Sequence, residues 1–445
     1  MSAVGAGAAG GRPASAAELR QAIDSAPMSR LQVRAIVLCV VLNMLDGFDV
    51  LVMAFTASEV GREWSLSGTA LGVLLSAGLF GMAGGSLFVA PWGDRIGRRA
   101  VILLCLAVMT AGMFASALAQ GPGQLTILRA ITGVGVGGIL ASLNVVTSEY
   151  SSRRWRGTAV GLQVTGYPIG ATVGGTIAAF LISRYGWRSA FLFGAVASGI
   201  VIPVVMRSLP ESLDFLLTGR APNALQRLND VLRRMGRPAV AELPAVAKDE
   251  HAARNPVSRL FAGATGRSTA LIWTAFFLLM FGFYFVTSWT PRLLVAAGRS
   301  TGQGITGGVL LNVGGIVGGS LFSFLAAKAG LRPLAAVYLV LTSASIVLFG
   351  LFASDLALAF VIALVIGVCL FGSMVGLYAM TPLLYPAAIR TTGMGWAIGI
   401  GRIGAILAPI VAGLLIDAGW SASQLYYAFA IPVAATVLAV RSLRV

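Results

Sequence analysis

The chain has 445 residues, of which 57% are hydrophobic and only 11% are charged. Because an ordinary soluble domain has about 25% charged residues, this composition excludes a soluble enzyme, a disordered chain and a disulfide-stapled scaffold. The formal net charge of +16 does not predict a nucleic-acid partner, since the basic residues lie in the loops between long apolar segments.

Twelve such segments are long enough to cross a bilayer as helices, which takes about 20 mostly apolar residues each. Their continuous apolar character also excludes a β-barrel, in which apolar and polar residues alternate along a strand. The predicted spans are residues 34–56, 68–90, 100–119, 124–147, 158–182, 188–206, 270–290, 304–327, 334–353, 356–380, 394–416 and 422–440.

The distribution of basic residues predicts the orientation of these spans. If the N-terminus is cytoplasmic, 25 of the 32 Lys and Arg residues lie on the cytoplasmic side and 5 on the other side. Positively charged loops stay in the cytoplasm, so both termini are predicted to be cytoplasmic. Residues 1–30, which are rich in Ala, Gly and Ser, are predicted to form a flexible cytoplasmic tail.

A polar cytoplasmic loop divides the spans into two sets of six. It covers residues 207–269 and separates an N-terminal bundle, 31–206, from a C-terminal bundle, 270–445. Apolar residues in the loop follow a helical period, which predicts a short helix lying on the membrane face. Asn223 is the predicted N-cap of this helix and Gly236 its stop signal.

An internal repeat relates the two halves. The segment Gly84–Phe88 recurs as Gly318–Phe322, and the same offset of 234 residues matches Arg156 with Arg390. The repeat predicts an all-α membrane protein with twelve transmembrane helices in two pseudo-symmetric six-helix bundles. Transporters built from such repeats hold their substrate near the membrane midplane, between the halves.

Charged side chains inside the spans indicate function, because each costs roughly 2.5–3.5 kcal/mol at the bilayer centre. Asp46 and Asp49 share one face of the first span, while Arg129 lies in the fourth and Arg402 in the eleventh. At a rise of about 1.5 Å per residue, Asp49 and Arg129 reach the same height, so they are predicted to be able to pair. Arg402 has no acidic residue of its own half at its depth, so we expect it to bind a substrate carboxylate.

A proton carrier inside this membrane domain has to be a carboxylate, because no span contains a histidine. An aspartate that alternates between a desolvated environment and one beside an arginine can take up and release a proton. Asp46 and Asp49 are therefore the predicted proton-coupling residues. The single histidine, His251, lies in the central loop and is predicted to be a solvated surface residue. No metal site and no cofactor are predicted, since the Cys and His residues show no ligand spacing.

The loop Gly93–Arg99, with the sequence GDRIGRR, resembles the signature loop between helices 2 and 3 of the major facilitator superfamily. Arg129-x-x-x-Gly133 is similar to its helix 4 signature, and Pro210-Glu211-Ser212 to a motif that follows its helix 6. Ala90 stands where that family has Gly. The resemblance implies the major facilitator fold and a gate at the cytoplasmic side. The predicted gating residues are Asp94, Arg95, Gly97, Arg98 and Arg99, together with Arg156 and Arg390.

Within that superfamily the chain is similar to the aromatic acid:proton symporter family. The string LDGFDV matches its first-helix DGxD pattern through Asp46, Gly47 and Asp49. The resemblance implies proton-coupled import of benzoate or hydroxybenzoate-class carboxylates by alternating access in the bacterial cytoplasmic (inner) membrane. It adds Glu149 to the predicted proton-coupling residues. The implied partners are a small organic anion, protons and the lipid bilayer, and the protein is predicted to be a monomer.

An aromatic acid needs a cation for its carboxylate and an apolar or aromatic slot for its ring. Arg129 and Arg402 are the candidate cations. The candidate ring contacts are Tyr284 in the seventh span, Tyr378 in the tenth and Trp396 in the eleventh, with Asn312 in the eighth as a candidate partner for a ring hydroxyl.

Other functions stay open on the sequence alone. One is proton-coupled symport of another small organic acid or a sugar, and another is drug export. The sequence Gly166-Tyr167-Pro168 lacks the adjoining Gly-Pro of antiporters, which disfavours export. An enzyme is not predicted, because no nucleophile, base or metal ligands cluster near a membrane face.

Overall fold

The computed structural model describes residues 16–219, 221–243, 258, 260–261, 264–386 and 389–443. Among these residues, twelve helices are long and apolar enough to cross a membrane. They are α1 (Arg30–Glu63), α2 (Gly68–Gly84, continued by short helical turns to Ile96), α3 (Arg98–Ala117), α4 (Pro122–Glu149), α5 (Arg156–Tyr185), α6 (Arg188–Ser208), α7 (Ala264–Ala296), α8 (Thr301–Ala329), α9 (Leu331–Phe352), α10 (Leu356–Met380), α11 (Arg390–Asp417) and α12 (Ala422–Ser442).

All twelve predicted spans are confirmed, and several helices extend past the apolar run because polar residues cap them. At the start of α1, Ser29 Oγ accepts a hydrogen bond from the Gln32 N–H at 3.3 Å, and Gln32 Oε1 accepts one from the Ser29 N–H at 2.8 Å. This reciprocal capping box satisfies backbone donors that a helix start leaves unpaired. We call the side at which α1 begins and α12 ends the terminal face, and the other side the opposite face.

The two halves repeat the same close helix contacts. In the first half, Gly133 on α4 packs against the carbonyl of Gly78 on α2; in the second half, Gly367 on α10 packs against the carbonyl of Leu311 on α8. The α4 and α10 positions differ by the predicted offset of 234, whereas the α2 and α8 positions differ by 233. The sequence match in α2 and α8 is therefore one residue out of structural register.

Glycine also brings α1 and α5 together. A Cβ atom at Gly170 would collide with the carbonyl of Met44, whereas a Cβ at Gly161 of the same helix would meet nothing within 4 Å. We expect Gly170→Ala to lower the melting temperature of the purified protein by several degrees, because the overpacking costs about 1–3 kcal/mol. Gly161→Ala is the matched control and should be neutral or stabilising, since Ala is the better helix former. Equal melting temperatures for the two variants would contradict this packing.

Part of the predicted flexible tail is helical. The helix Ala16–Ser25 buries Leu19 and Ile23 against the terminal side of the N-terminal half. The prediction of a flexible tail over residues 1–30 is therefore wrong for this helix, because its two apolar residues lie four apart and share one packing face. Residues 1–15 lie outside the described residues.

The predicted helix of the central loop is present as Ala224–Arg234, and Leu228 is fully buried against the N-terminal half. Gly236, with φ of +72°, follows the helix end as predicted. The prediction that Asn223 caps its start is wrong, since this residue is left-handed at φ 53° and its side chain makes no capping hydrogen bond. His251 lies outside the described residues.

The halves close against each other at the opposite face. The Asp417 carboxylate at the end of α11 accepts hydrogen bonds from the N–H groups of Gly68 at 2.6 Å and Thr69 at 2.8 Å, at the start of α2. About two turns deeper along α2, Ser76 Oγ donates to the carbonyl of Ile406 at 2.7 Å. The unpaired N–H groups of a helix start favour a carboxylate, so Asp417 holds the two halves together here.

The same two helices separate towards the terminal face. A Cβ atom at Gly84, near that end of α2, would meet nothing within 4 Å, and the same holds at Gly395 and Gly399 near that end of α11. The helices are thus in backbone contact at the opposite face and apart at the terminal face. The interface between the halves is approachable from the terminal side.

Candidate functional site

Two charged residues meet in the interior of the N-terminal half. Arg129 Nη1 lies 3.0 Å from Asp49 Oδ1, and Arg129 Nη2 donates to the Asp49 carbonyl at 2.8 Å. Both side chains are 3% exposed. The guanidinium also stands 5.6 Å from the centre of the Phe191 ring. The pair predicted from helix heights is confirmed.

Asp46 is in a different situation from Asp49. It is completely buried, one turn nearer the terminal face, and neither of its carboxyl oxygens has a hydrogen-bond partner in the described part of the chain. Arg402 of the other half interacts electrostatically with Asp46, although the two form no ion pair among the described residues. A buried carboxyl group without a partner is costly, so it marks a site of function.

Arg402 is half-buried and stands among groups from both halves. Its charge acts on Asp46 from α1, Tyr284 from α7 and Tyr378 from α10. No carboxylate of the described residues forms a salt bridge with it. The structure therefore places a cation without a counterion at the interface between the halves, next to two phenol rings.

Tyr167 on α5 belongs to the same cluster and was missed by the sequence analysis. It interacts electrostatically with Tyr284 across the interface and with Asp46 and Asp49 on α1. Gly47 explains this approach, because a Cβ there would collide with the Tyr167 carbonyl. The adjacent Gly in the DGFD string was the available signal, since it marks the place where another helix comes close.

The predicted ring contacts are only partly brought together. Tyr284 and Tyr378 line the interface, and Tyr378 packs edge-on against Phe276 with ring centres 5.4 Å apart. Trp396 is 44% exposed and stacks on Trp273 at 5.6 Å, nearer the terminal face. The structure does not bring it to Tyr284 and Tyr378, because the six-residue step from Trp396 to Arg402 turns its side chain about 120° away.

Asn312 lies on the face of α8 that meets the first half. Its Nδ2 donates to the carbonyl of Gly308 at 2.9 Å, and its Oδ1 is buried with no hydrogen-bond partner in the part of the chain that the structure describes. Gly308 itself contacts Phe55 of α1, so this face of α8 is part of the interface. The amide oxygen is the group available to a ligand.

A small cavity lies beside the Asp49–Arg129 pair. About 10 Å³ of space is bounded by these two residues and by Met53, Gly78 and Val136. That is roughly the room that one water molecule needs. The pair is therefore next to a space that a water can enter, on the side facing α2.

The predicted gating loop sits at the terminal face. Asp94 and Arg98 form an ion pair, and the Arg99 N–H donates to Glu211 Oε1 at 2.9 Å. Gly97 has φ of +100°, and a Cβ there would meet Glu211 Oε2. A non-glycine residue is disfavoured on both grounds. Arg95 and Arg390 are exposed.

Glu149, a predicted proton-coupling residue, is engaged elsewhere. Its carboxylate accepts hydrogen bonds from Ser212 Oγ at 3.0 Å and from the Leu213 N–H at 2.8 Å. It thus caps the short helix Leu213–Leu217 at the terminal face, and the structure does not bring it to Asp46. The Glu149 carboxylate thereby holds the segment that follows α6 against the end of α4.

Tyr150 and Arg156 make further contacts at the terminal face. The Tyr150 hydroxyl donates to the Glu211 carbonyl at 2.6 Å, and burial raises the pKa of Tyr150 well above its usual value, so it stays a donor. Arg156 pairs with Asp24 of the helix Ala16–Ser25 and donates to the Ser148 carbonyl at 3.2 Å. The N-terminal helix is therefore tied to the start of α5.

Known transport proteins resemble this chain over most of its length. The profile of the Major Facilitator Superfamily matches residues 36–378. The chain is 30% identical to the gallate transporter of Pseudomonas putida over 95% of its own length and 94% of that protein. It is also 30% identical to the 4-hydroxybenzoate transporter PcaK of Pseudomonas putida, covering 95% of each.

A more distant relative and a solved structure agree with these matches. The benzoate transport protein of Acinetobacter baylyi is 27% identical over 90% of this chain and 86% of that one. The inward open conformation of the xylose transporter XylE from E. coli superposes with a TM-score of 0.73 at 15% identity, over 92% of this chain and 96% of that one. The latter likeness concerns the fold alone.

Proposed function

The chain belongs to the major facilitator superfamily, and we propose that it imports aromatic carboxylates of the benzoate or hydroxybenzoate class together with protons. Relatives that align over nearly the whole chain are named for the transport of gallate, 4-hydroxybenzoate and benzoate. The terminal face is then cytoplasmic, the membrane is the bacterial inner membrane, and one chain carries a complete site.

One observation carries this proposal: among the described residues, Asp46 is a buried carboxyl without a hydrogen-bond partner, and it interacts across the interface with Arg402, a cation without a counterion. A substrate carboxylate satisfies Arg402, because charge-assisted hydrogen bonds to a guanidinium are strong and directional. A proton satisfies Asp46, because a neutral carboxyl group is much cheaper to bury than an ionised one. Cargo and proton thus neutralise neighbouring charges of the same site.

The two residues also suggest how the halves move. With the site empty and Asp46 ionised, water must reach the interface, which the open terminal side permits. With substrate on Arg402 and a proton on Asp46, the net charge of the site is unchanged, but neither charge is left without a partner, so the halves can close over it. Asp49 and Arg129 take no cargo in this scheme; their pair fixes α1 against α4, so that Asp46 keeps its position.

The test is uptake of labelled 4-hydroxybenzoate by cells that produce the protein, with and without a protonophore. We expect uptake above that of cells with an empty vector, loss of accumulation with the protonophore, and competition by benzoates but not by aliphatic acids of similar size. Absence of aromatic uptake would overturn the substrate class. Accumulation that the protonophore leaves intact would overturn the proton coupling.

A further inference from the structure

Two buried amide oxygens lie beside Asp46 and have no partner. Asn43 and Gln163 are 3% and 1% exposed, and neither Asn43 Oδ1 nor Gln163 Oε1 accepts a hydrogen bond within the described residues. An unsatisfied buried acceptor costs about 1–3 kcal/mol. Two of them on facing helices next to the proposed transport site require an explanation.

The orientation of the Asn43 amide is fixed by its surroundings. Its Nδ2 donates to the Gln163 carbonyl at 2.6 Å and lies 3.4 Å from the Val164 carbonyl. Pro168 has no N–H, so the Val164 carbonyl lacks its usual helical donor. Turning the amide round would place Oδ1 against two carbonyl oxygens. The oxygen is therefore left free, and it is only able to accept a hydrogen bond.

Both residues lie one helical turn from groups of the proposed site. Asn43 precedes Asp46 by three residues on α1, and Gln163 precedes Tyr167 by four on α5, so each lies one turn nearer the open terminal side. The Tyr167 backbone packs against Gly47, next to Asp46, and Tyr167 interacts electrostatically with Asp46 and Tyr284. The two amide oxygens thus belong to the N-terminal wall, whereas Arg402 belongs to the C-terminal wall.

We propose that Asn43 and Gln163 form a subsite that accepts a hydrogen bond from a hydroxyl group on the ring of the transported acid. The inference rests on the proposed function. With the carboxylate at Arg402 on one wall and the acceptors on the other, the ring spans the interface. The hydroxyl group is then meta or para to the carboxylate. Benzoate, which has no hydroxyl donor, leaves both acceptors unsatisfied and binds more weakly.

The first experiment compares uptake of labelled benzoate, 2-hydroxybenzoate, 3-hydroxybenzoate and 4-hydroxybenzoate by the same cells. We expect KM for the 3- or 4-hydroxy acid to be about tenfold lower than for benzoate, since a site that hydrogen-bonds a hydroxyl discriminates against ligands that lack it. The 2-hydroxy acid should resemble benzoate, because its hydroxyl lies beside the carboxylate. Equal KM values for all four acids would overturn the subsite and leave the proposed function standing.

The second experiment uses Gln163→Met, which keeps the length of the side chain and removes the acceptor. We expect it to raise KM for 4-hydroxybenzoate about tenfold and to leave benzoate uptake unchanged or improved. A Gln163→Met variant that impairs uptake of both acids equally would overturn the subsite. If the unsubstituted protein took up none of the acids, both the subsite and the proposed function would be overturned.

Ser142→Ala serves as the matched control. The Ser142 hydroxyl is also fully buried and has no partner among the described residues, but it lies on the face of α4 that continues from Gly135 and Gly138, which pack against Cys105 of α3. It is remote from the interface between the halves. Loss of this oxygen should leave the ratio of KM values unchanged.

Discussion

Asp46→Asn is expected to abolish accumulation of the aromatic acid against a gradient while leaving exchange of labelled for unlabelled acid intact. Asparagine has the size of aspartate but cannot take up or release a proton. Neither oxygen of Asp46 holds another side chain in place, so the substitution leaves no partner unpaired. Accumulation in energised cells should fall to the level of simple equilibration, and counterflow in proteoliposomes should persist.

Measuring both accumulation and exchange distinguishes a loss of proton coupling from a loss of folding. Loss of exchange together with accumulation would indicate that Asp46 is structural, and full protonophore-sensitive accumulation would refute its role in proton coupling. Asp355→Asn is a suitable control, because Asp355 caps the start of α10 at the opposite face by accepting from the Leu358 N–H at 3.0 Å. It should transport normally.

Removal of one member of the Asp49–Arg129 pair is expected to destabilise the whole N-terminal half. Arg129→Met leaves a buried carboxylate without its counterion, and Asp49→Asn leaves a buried guanidinium in the same state. Breaking a buried pair in this way costs about 3–5 kcal/mol. The yield of monodisperse protein and its melting temperature in detergent should both fall strongly.

The double variant Asp49→Asn with Arg129→Met provides the decisive comparison. Replacement of a whole buried pair by neutral residues is often neutral for stability, so most of the melting temperature should return. Transport should not return if the pair also positions Asp46 during the cycle. Additive losses in the double variant would show that the two charges do not depend on each other.

The sequence was sufficient for the fold and for the ion pair. Long apolar runs define helices because only a satisfied backbone can cross a bilayer, and helix heights placed Asp49 and Arg129 at one level. The direction in which a side chain points from its helix was harder to predict from the sequence than its height along the helix. Trp396 is an example, since its side chain stacks on Trp273 nearer the terminal face.

The different role of Glu149 follows from hydrogen-bond partners that lie outside the membrane spans. Glu149 was grouped with the membrane carboxylates, although it caps the Leu213–Leu217 helix in the structure. The position of that segment depends on how the chain folds back after α6, which no local pattern encodes. Asn43 and Gln163 carry no charge, so neither stood out among the polar residues of the spans, and only the missing partners of their oxygens identify them.

The contacts that shut the opposite face have a consequence for how such a protein can change over time. Asp417, Gly68 and Ser76 lie near one end of the molecule, whereas the groups proposed to touch cargo lie near its middle. Turnover and selectivity therefore depend on separate residues. Substitutions at these contacts can therefore change the rate of the transport cycle without changing the substrate. Substitutions near the middle of the molecule can change the substrate without changing these contacts.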